Sequence, residues 1–312
     1  MPRTRDLISL NDLRDIDLSW VVAQGAAYAA AATAEEPRRP APVLEGSVVG
    51  IYFKKTSTRT RTAFSAGALR LGARIIAYGP DDLQTNTGET LQDTARVMAG
   101  MLDALVARID GPAEELRSLA AGGEMAVINA MSLNEHPTQA IADLVTLQRH
   151  FGRTHGLRVL YVGEGNSTAT ALTLALSRCE DTELYLCTPP DYGLPLGIRA
   201  RAAAYARRTG ARVEERHTLA NPPEAVDVIY TTRWQTTGTV KRDPAWRKHF
   251  EGFQVTPQLW ESSPRAVFMH DLPAHRGEEV AAEVLDGPAS IAFEQAENKL
   301  YGAMAVLHYC LN

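Results

Sequence analysis

Short apolar runs of strand length alternate with longer stretches of helical pattern along this chain, and they do so in two series. In the first, Val48–Phe53, Ala73–Tyr78, Ala104–Arg108 and Met125–Asn129 read as strands, with helical patterns between them at 62–71, 89–102 and 112–121. The second begins near Leu157 and places strands at Val159–Val162, Glu183–Cys187, Val226–Tyr230 and Ala266–Met269. Strands separated by helices pair in parallel, because the crossover returns each strand to the same end of the sheet. The expected fold is therefore α/β: two doubly wound parallel-sheet domains joined by helices, with a C-terminal helix packing back on the first domain. The boundaries fall at residues 1–145, 146–292 and 293–312, with a bridging helix over 138–151 and a final amphipathic helix over 294–310.

Composition narrows the function classes. At 312 residues the chain has the length of about two domains. A net charge of −5 and a pI of about 5.9 do not indicate a nucleic-acid surface. Cys179, Cys187 and Cys310 are too few and too irregular for a disulfide framework or a zinc knuckle, and are expected reduced in a core. No apolar run reaches the roughly 18 residues of a membrane span. Residues 1–6 carry no apolar core of a signal peptide, so a cytoplasmic location is the expectation.

Chemistry gathers at strand ends. Ser57-Thr58-Arg59-Thr60-Arg61 lies between the first strand and a helix, where free backbone N–H groups and the helix dipole favour an anion. Arginine adds a planar fork suited to phosphate oxygens. The plainer alternative is a Ser/Thr helix cap with two solvated arginines. Arg108 ends its strand, and ligands of open parallel sheets gather at carboxyl ends, so Arg108 is expected to converge on the same anion. His136-Pro137-Thr138-Gln139 follows the fourth strand, with Pro137 suited to a first helical turn. His136 and Gln139 then sit near one helix end, able to polarise a carbonyl group.

Taken in order, Ser57-Thr58-Arg59-Thr60, Arg108, His136-Pro137-Thr138-Gln139 and His270-Asp271-Leu272-Pro273 resemble the motif set of the aspartate/ornithine carbamoyltransferase family. Residues 88–97 are similar to that family's mobile loop and following helix, and 273–280 to its ornithine-type members. The resemblance runs from about residue 6 to the end. It implies a first domain that binds carbamoyl phosphate and a second that binds an amino-acid acceptor. Ser57, Thr58, Arg59 and Thr60 would hold the phosphate; Arg108, His136 and Gln139 would bind the carbamoyl end. The Leu272 carbonyl would hold the carbamoyl nitrogen. Lys299 stands where the family usually carries Arg. Gln84 resembles the loop residue that ornithine-type members send into a neighbouring subunit's site, which implies a homotrimer. No metal, no cofactor, no nucleic acid and no membrane is implied.

Acceptor recognition departs from the pattern. Ornithine-type members read the amino acid with a paired Asn-Asn, an Asp and a Ser-Met-Gly turn. Here Asn166-Ser167, Thr232 and Thr236-Thr237-Gly238 stand at those places. Arg233-x-Gln235 resembles the carboxylate-binding pair of aspartate-type members, yet Thr85–Gly88 lacks their loop lysines. Asp271 stands where ornithine-type members have Cys, beside the reacting amine, as an acceptor ligand or general base. The expectation is transfer of a carbamoyl group to the amino group of a small carboxylate-bearing amino acid or amine other than plain ornithine. The alternatives are an ornithine enzyme proper and a non-catalytic paralogue that binds carbamoyl phosphate. Gly163-Glu164-Gly165-Asn166-Ser167-Thr168 fails the dinucleotide fingerprint at its sixth position, and no P-loop occurs. His136, His270 and His275 make no plausible zinc set, because Pro273 interrupts the spacing.

Overall fold

The computed structural model describes residues 5–236 and 239–312. It divides into two compact units, residues 1–150 with 297–312, and residues 151–296.

In unit 1, α1 (Asp15–Thr33) precedes four strands: β1 (Val48–Phe53), β2 (Arg74–Tyr78), β3 (Ala104–Arg108) and β4 (Ala126–Met131). The helices α2 (Thr58–Arg70), α3 (Leu91–Ala99) and α4 (Ala113–Ala120) connect them, and α5 (Pro137–Phe151) follows β4. All pairings are parallel, in the order β2-β1-β3-β4. The chain therefore winds one way from β1 to β2 and the other way from β2 to β3. That reversal puts the carboxyl ends of β1 and β3 side by side, with Phe53 in register with Arg108. Such a switch point is where an open sheet leaves a crevice for ligands. Leu105, Val106 and Ala107 are fully buried, so β3 fixes Arg108 from a closed core.

Unit 2 contains β5 (Arg158–Val162), α6 (Ser167–Leu176), β6 (Glu183–Cys187), α7 (Leu196–Thr209), β7 (Arg212–Arg216), β8 (Val228–Thr231), β9 (Val267–His270) and the short α8 (Ala282–Leu285). The parallel order is β7-β6-β5-β8-β9, so its switch point lies between β5 and β8. The core below it is Leu160, Val162, Ile229, Phe253 and Phe268 with their neighbours. The last helix, α9 (Ala292–Leu311), carries Lys299 in its Glu297–Asn312 portion, which belongs to unit 1.

The sequence alternation matches these two sheets, with one strand missed. β7 is Arg-Val-Glu-Glu-Arg, a sheet-edge segment with no residue fully buried. Its same-face side chains Arg212, Glu214 and Arg216 pair with one another along the edge. An ion-paired edge carries no apolar signal. The helix expected over 89–102 is shorter, because Thr90 caps its start and Gly100 its end.

Candidate active site

The residues expected to bind the donor lie in unit 1. Ser57 occupies the N-cap position of α2 in extended conformation, but its hydroxyl makes no capping bond. It instead accepts from Nη1 of Arg108 at 3.2 Å. The plain helix-cap alternative thus fails for Ser57, and the turn after β1 is tied to the end of β3. Thr58, Arg59 and Thr60 form the first turn of α2; Thr60 is buried, Arg59 half-buried and Thr58 exposed. First-turn N–H groups have no intrahelical partner, so cation and donors lie at one helix end.

Pro137 opens α5, as its fixed φ and missing N–H favour. His136 stands just before it, almost fully buried. Burial pushes its imidazole well below the ordinary histidine range, and the nearby positive charges of Lys299 and Arg108 push it further. His136 is therefore neutral at physiological pH, with one ring N–H to donate. Gln139, one turn along, donates from Nε2 to Oδ1 of buried Asp143 at 2.8 Å. That bond fixes the amide orientation. Its Oε1 is buried and has no hydrogen-bond partner among the described residues. His136 thus offers a neutral N–H donor near the charges of Arg108 and Lys299, and Gln139 offers an amide oxygen acceptor one turn along α5, groups complementary to a carbamoyl group's C=O and NH2. Gln84 is exposed in a short turn over Gln84–Thr87, where the Thr87 hydroxyl donates to its Oε1 at 2.9 Å.

The residues expected to bind the acceptor lie in unit 2, at the carboxyl ends of β5, β8 and β9. Gly163 leaves β5 with φ 136°, and Gly165 packs so closely on Gly193 and Leu194 that a Cβ would lie 2.5 Å from backbone. These two glycines shape the turn that delivers Asn166. Asn166 caps α6, its Oδ1 accepting from Thr168 and Ala169 N–H at 3.0 and 3.1 Å. Its amide NH2 is thereby directed away from the helix. The Ser167 hydroxyl is buried and lacks a partner among the described residues.

Asp271, directly after β9, is the centre of this group. Its Oδ2 accepts from the Thr168 hydroxyl at 2.8 Å and its Oδ1 from the Thr232 hydroxyl at 2.9 Å. Two hydroxyls from different elements hold one carboxylate at the switch point. Arg233 is half-buried on the following loop. Gln235 donates to the Thr239 carbonyl at 2.7 Å. Thr237 lies outside the described residues.

Behind Asp271, His270 is fully buried on β9. The Leu272 N–H donates to its Nδ1 at 2.8 Å, so Nδ1 carries no proton and Nε2 does. Nε2–H faces Oε1 of buried Glu279 at 3.2 Å. Leu272 itself has φ 51°, a left-handed conformation that is costly for a branched residue.

Three contributors escaped the sequence reading. Thr168 stands out there only as the residue that spoils a dinucleotide fingerprint. Glu164 and Lys241, paired at 2.5 Å, tie the turn after β5 to the segment after β8. The Lys241 ammonium also lies over Tyr192, Trp246 and Phe250 at 4.5–5.3 Å. A lone Lys among surface loops gives no signal of such burial.

Both units of this chain match known proteins. Residues 5–149 match the family model "Aspartate/ornithine carbamoyltransferase, carbamoyl-P binding domain". Residues 155–310 match the model "Aspartate/ornithine carbamoyltransferase, Asp/Orn binding domain". The chain is 38% identical over 310 residues to the ornithine carbamoyltransferase of Symbiobacterium thermophilum, covering 97% of this chain and 96% of that one. It is 37% identical to that of Hyperthermus butylicus, over 97% and 96%. The structure of ornithine carbamoyltransferase from Pyrococcus furiosus superposes with a TM-score of 0.92 at 34% identity, covering 99% of this chain and 97% of that chain. The chain belongs to the aspartate/ornithine carbamoyltransferase family and is a carbamoyltransferase.

Proposed function

We propose that the protein transfers the carbamoyl group of carbamoyl phosphate to the side-chain amine of an ornithine-type diamino acid, releasing phosphate. The observation that carries the acceptor reading is the Asp271 carboxylate, held by the hydroxyls of Thr168 and Thr232. The lack of an Asp at position 232 argues for an acceptor other than ornithine only if the ammonium is left unpaired. Asp271 removes that premise, because its carboxylate lies within hydrogen-bond distance of the very residue that replaces the Asp. The relatives' names point the same way.

In this reading Ser57, Thr58, Arg59, Thr60 and Arg108 grip the phosphate. His136 donates to the carbamoyl oxygen, and Gln139 accepts from the carbamoyl nitrogen, as does the Leu272 carbonyl. Lys299 adds fixed positive charge beside His136. The neutral amine attacks the carbonyl carbon, a C–N bond forms, and negative charge grows on the oxygen facing donors. The C–O bond to phosphate then breaks, and the amine's proton leaves with phosphate or solvent. No side chain becomes covalently attached. Positioning alone is worth up to about 7–11 kcal/mol in well-oriented systems. On the acceptor, Asn166 and Ser167 take a carboxylate with Arg233, Gln235 and Thr236 around it, and Asp271 takes the ammonium. Gln84 completes a neighbouring subunit's site in a homotrimer.

The test is phosphate release from carbamoyl phosphate with ornithine, lysine, 2,4-diaminobutyrate and 2,3-diaminopropionate, with mass spectrometry of the products. A product heavier by one carbamoyl group supports the reading and names the acceptor. No phosphate release above the blank with any amine refutes it. In the same assay Arg233→Ala is expected to weaken the acceptor and spare carbamoyl phosphate.

A further inference from the structure

We propose that Glu279 is a positioning residue that acts through His270 to hold the Leu272 backbone in the conformation that presents its carbonyl. The inference rests on the proposed role of that carbonyl in carbamoyl transfer.

The geometry is a chain of three groups. His270 and Glu279 are both fully buried. Glu279 Oε1 accepts from the His275 N–H at 2.5 Å and faces His270 Nε2 at 3.2 Å. With the proton drawn to Nε2, the Nδ1 lone pair accepts from the Leu272 N–H at 2.8 Å. A tautomer change would aim an N–H at the Leu272 N–H, and a ring flip would aim a C–H at it; either would break the chain. From the other side, the His270 N–H donates to Gln295 Oε1 at 2.8 Å, and Gln295 Nε2 reaches the buried Tyr230 hydroxyl at 3.1 Å. The residue is therefore held at its backbone and at both ring nitrogens.

What this chain secures is an unfavourable conformation. Leu272 at φ 51° would relax toward negative φ in an unrestrained loop. Its side chain packs only partly against the core of unit 2. The bond from its N–H to His270 Nδ1 restrains its backbone. The same tautomer also defines the ring's relation to Asp271, whose Oδ1 lies 3.5 Å from Nδ1. With Nδ1 unprotonated, His270 gives Asp271 no hydrogen bond, so the carboxylate depends on Thr168 and Thr232 alone among these three neighbours for its donors.

Two pairs of variants separate this role from general destabilisation. Glu279→Gln keeps an amide oxygen where Oε1 accepts, whereas Glu279→Leu keeps volume without an acceptor. His270→Asn keeps an acceptor near the Nδ1 position, whereas His270→Gln keeps a donor near Nε2 and loses the bond to Leu272. The proposal expects kcat to fall at least tenfold more in Glu279→Leu than in Glu279→Gln, and in His270→Gln than in His270→Asn. KM for carbamoyl phosphate should stay within a few-fold throughout. Equal losses within either pair, or the reverse order, overturn it. Nitrogen-15 NMR of histidine-labelled full-length protein supplies a readout independent of turnover. His270 should show a protonated Nε2 and a bare Nδ1 in the wild type, and should lose that pattern in Glu279→Leu. A protonated Nδ1 in the wild type overturns the proposal even if no acceptor is found. The absence of wild-type turnover with the expected NMR pattern refutes instead the reading of function.

Discussion

Thr232 donates its hydroxyl to Oδ1 of Asp271 at 2.9 Å, joining the ends of β8 and β9. Thr168 supplies the matching bond to Oδ2 from the first turn of α6. The carboxylate is thus oriented before any ligand arrives, and orientation in advance lowers the cost of binding. Removing the charge while keeping the shape should be felt by the acceptor alone. Asp271→Asn is expected to weaken the acceptor by about 2–5 kcal/mol, the range for truncating one partner of a buried charge pair. Steady-state kinetics should show this as a raised acceptor KM with the carbamoyl phosphate KM nearly constant. Thr232→Val, which removes one of two supporting bonds, should cost about 1 kcal/mol. An unchanged acceptor KM in Asp271→Asn would show that the carboxylate is only a brace between strands.

Arg108 makes an opposite prediction. Its Nη1 reaches Ser57 at 3.2 Å while its backbone is fixed by β3, so the guanidinium has little freedom to relocate. Arg108→Lys keeps the charge and loses the planar fork. By analogy with loss of one preorganised donor, kcat/KM for carbamoyl phosphate should fall about 10²- to 10³-fold. The acceptor KM, measured at saturating donor, should not change. A loss confined to the acceptor would remove Arg108 from the phosphate grip.

Much of this was legible in the sequence, and the reasons differ by residue. Ser57 and His136 follow, and Arg108 ends, strands whose buried apolar runs are unmistakable, so their place at the carboxyl edge follows from periodicity. Asn166 could be placed after β5 by the same logic. The bond between Asp271 and Thr232 could not, because it joins residues 39 positions apart, just past the ends of neighbouring strands. Strand order is a tertiary property that alternation does not encode. That is why the loss of an Asp at 232 reads from sequence as a missing charge. In three dimensions Asp271 restores the charge beside it. β7 was illegible for a different reason, since an ion-paired edge lacks the apolar signature by which strands are read.

The state of His136 predicts a pH profile. An ordinary imidazole would protonate near pH 6.5 and lose its role as a neutral donor with a free lone pair. Burial, with Lys299 and Arg108 behind it, holds His136 well below that value. Its protonation should therefore contribute no acidic limb near pH 6.5 to kcat/KM for carbamoyl phosphate. The acceptor side differs, because only the uncharged amine attacks. Its kcat/KM should rise with pH toward the amine's own pKa. Lys299→Met removes one of the two neighbouring cations and should move His136 upward, while burial, the larger cause, still holds it below the ordinary histidine range. A wild-type limb near pH 6.5 that vanishes in His136→Asn would contradict the neutral assignment.

Glu135, next in the chain, carries a prediction about stability. It is buried, accepting from the Leu10 N–H at 2.7 Å and the Ser9 hydroxyl at 2.6 Å, and so fastens the N-terminal segment beside β4. Burial outweighs those two bonds and pushes its carboxyl up to about 7. A carboxyl that holds its proton more tightly folded than unfolded favours folding most at low pH. Its contribution is largest below the unfolded value near 4.5 and is lost as pH rises through about 7. The full span corresponds to a cost on the order of 3 kcal/mol for ionising the buried group. Glu135→Gln keeps an acceptor for Leu10 and cannot ionise. Thermal melts at pH 5 and pH 8 should show the variant gaining on the wild type by several degrees at the higher pH. A difference in melting temperature that stays constant between the two pH values would mean that Glu135 is ionised in the folded protein across the whole range.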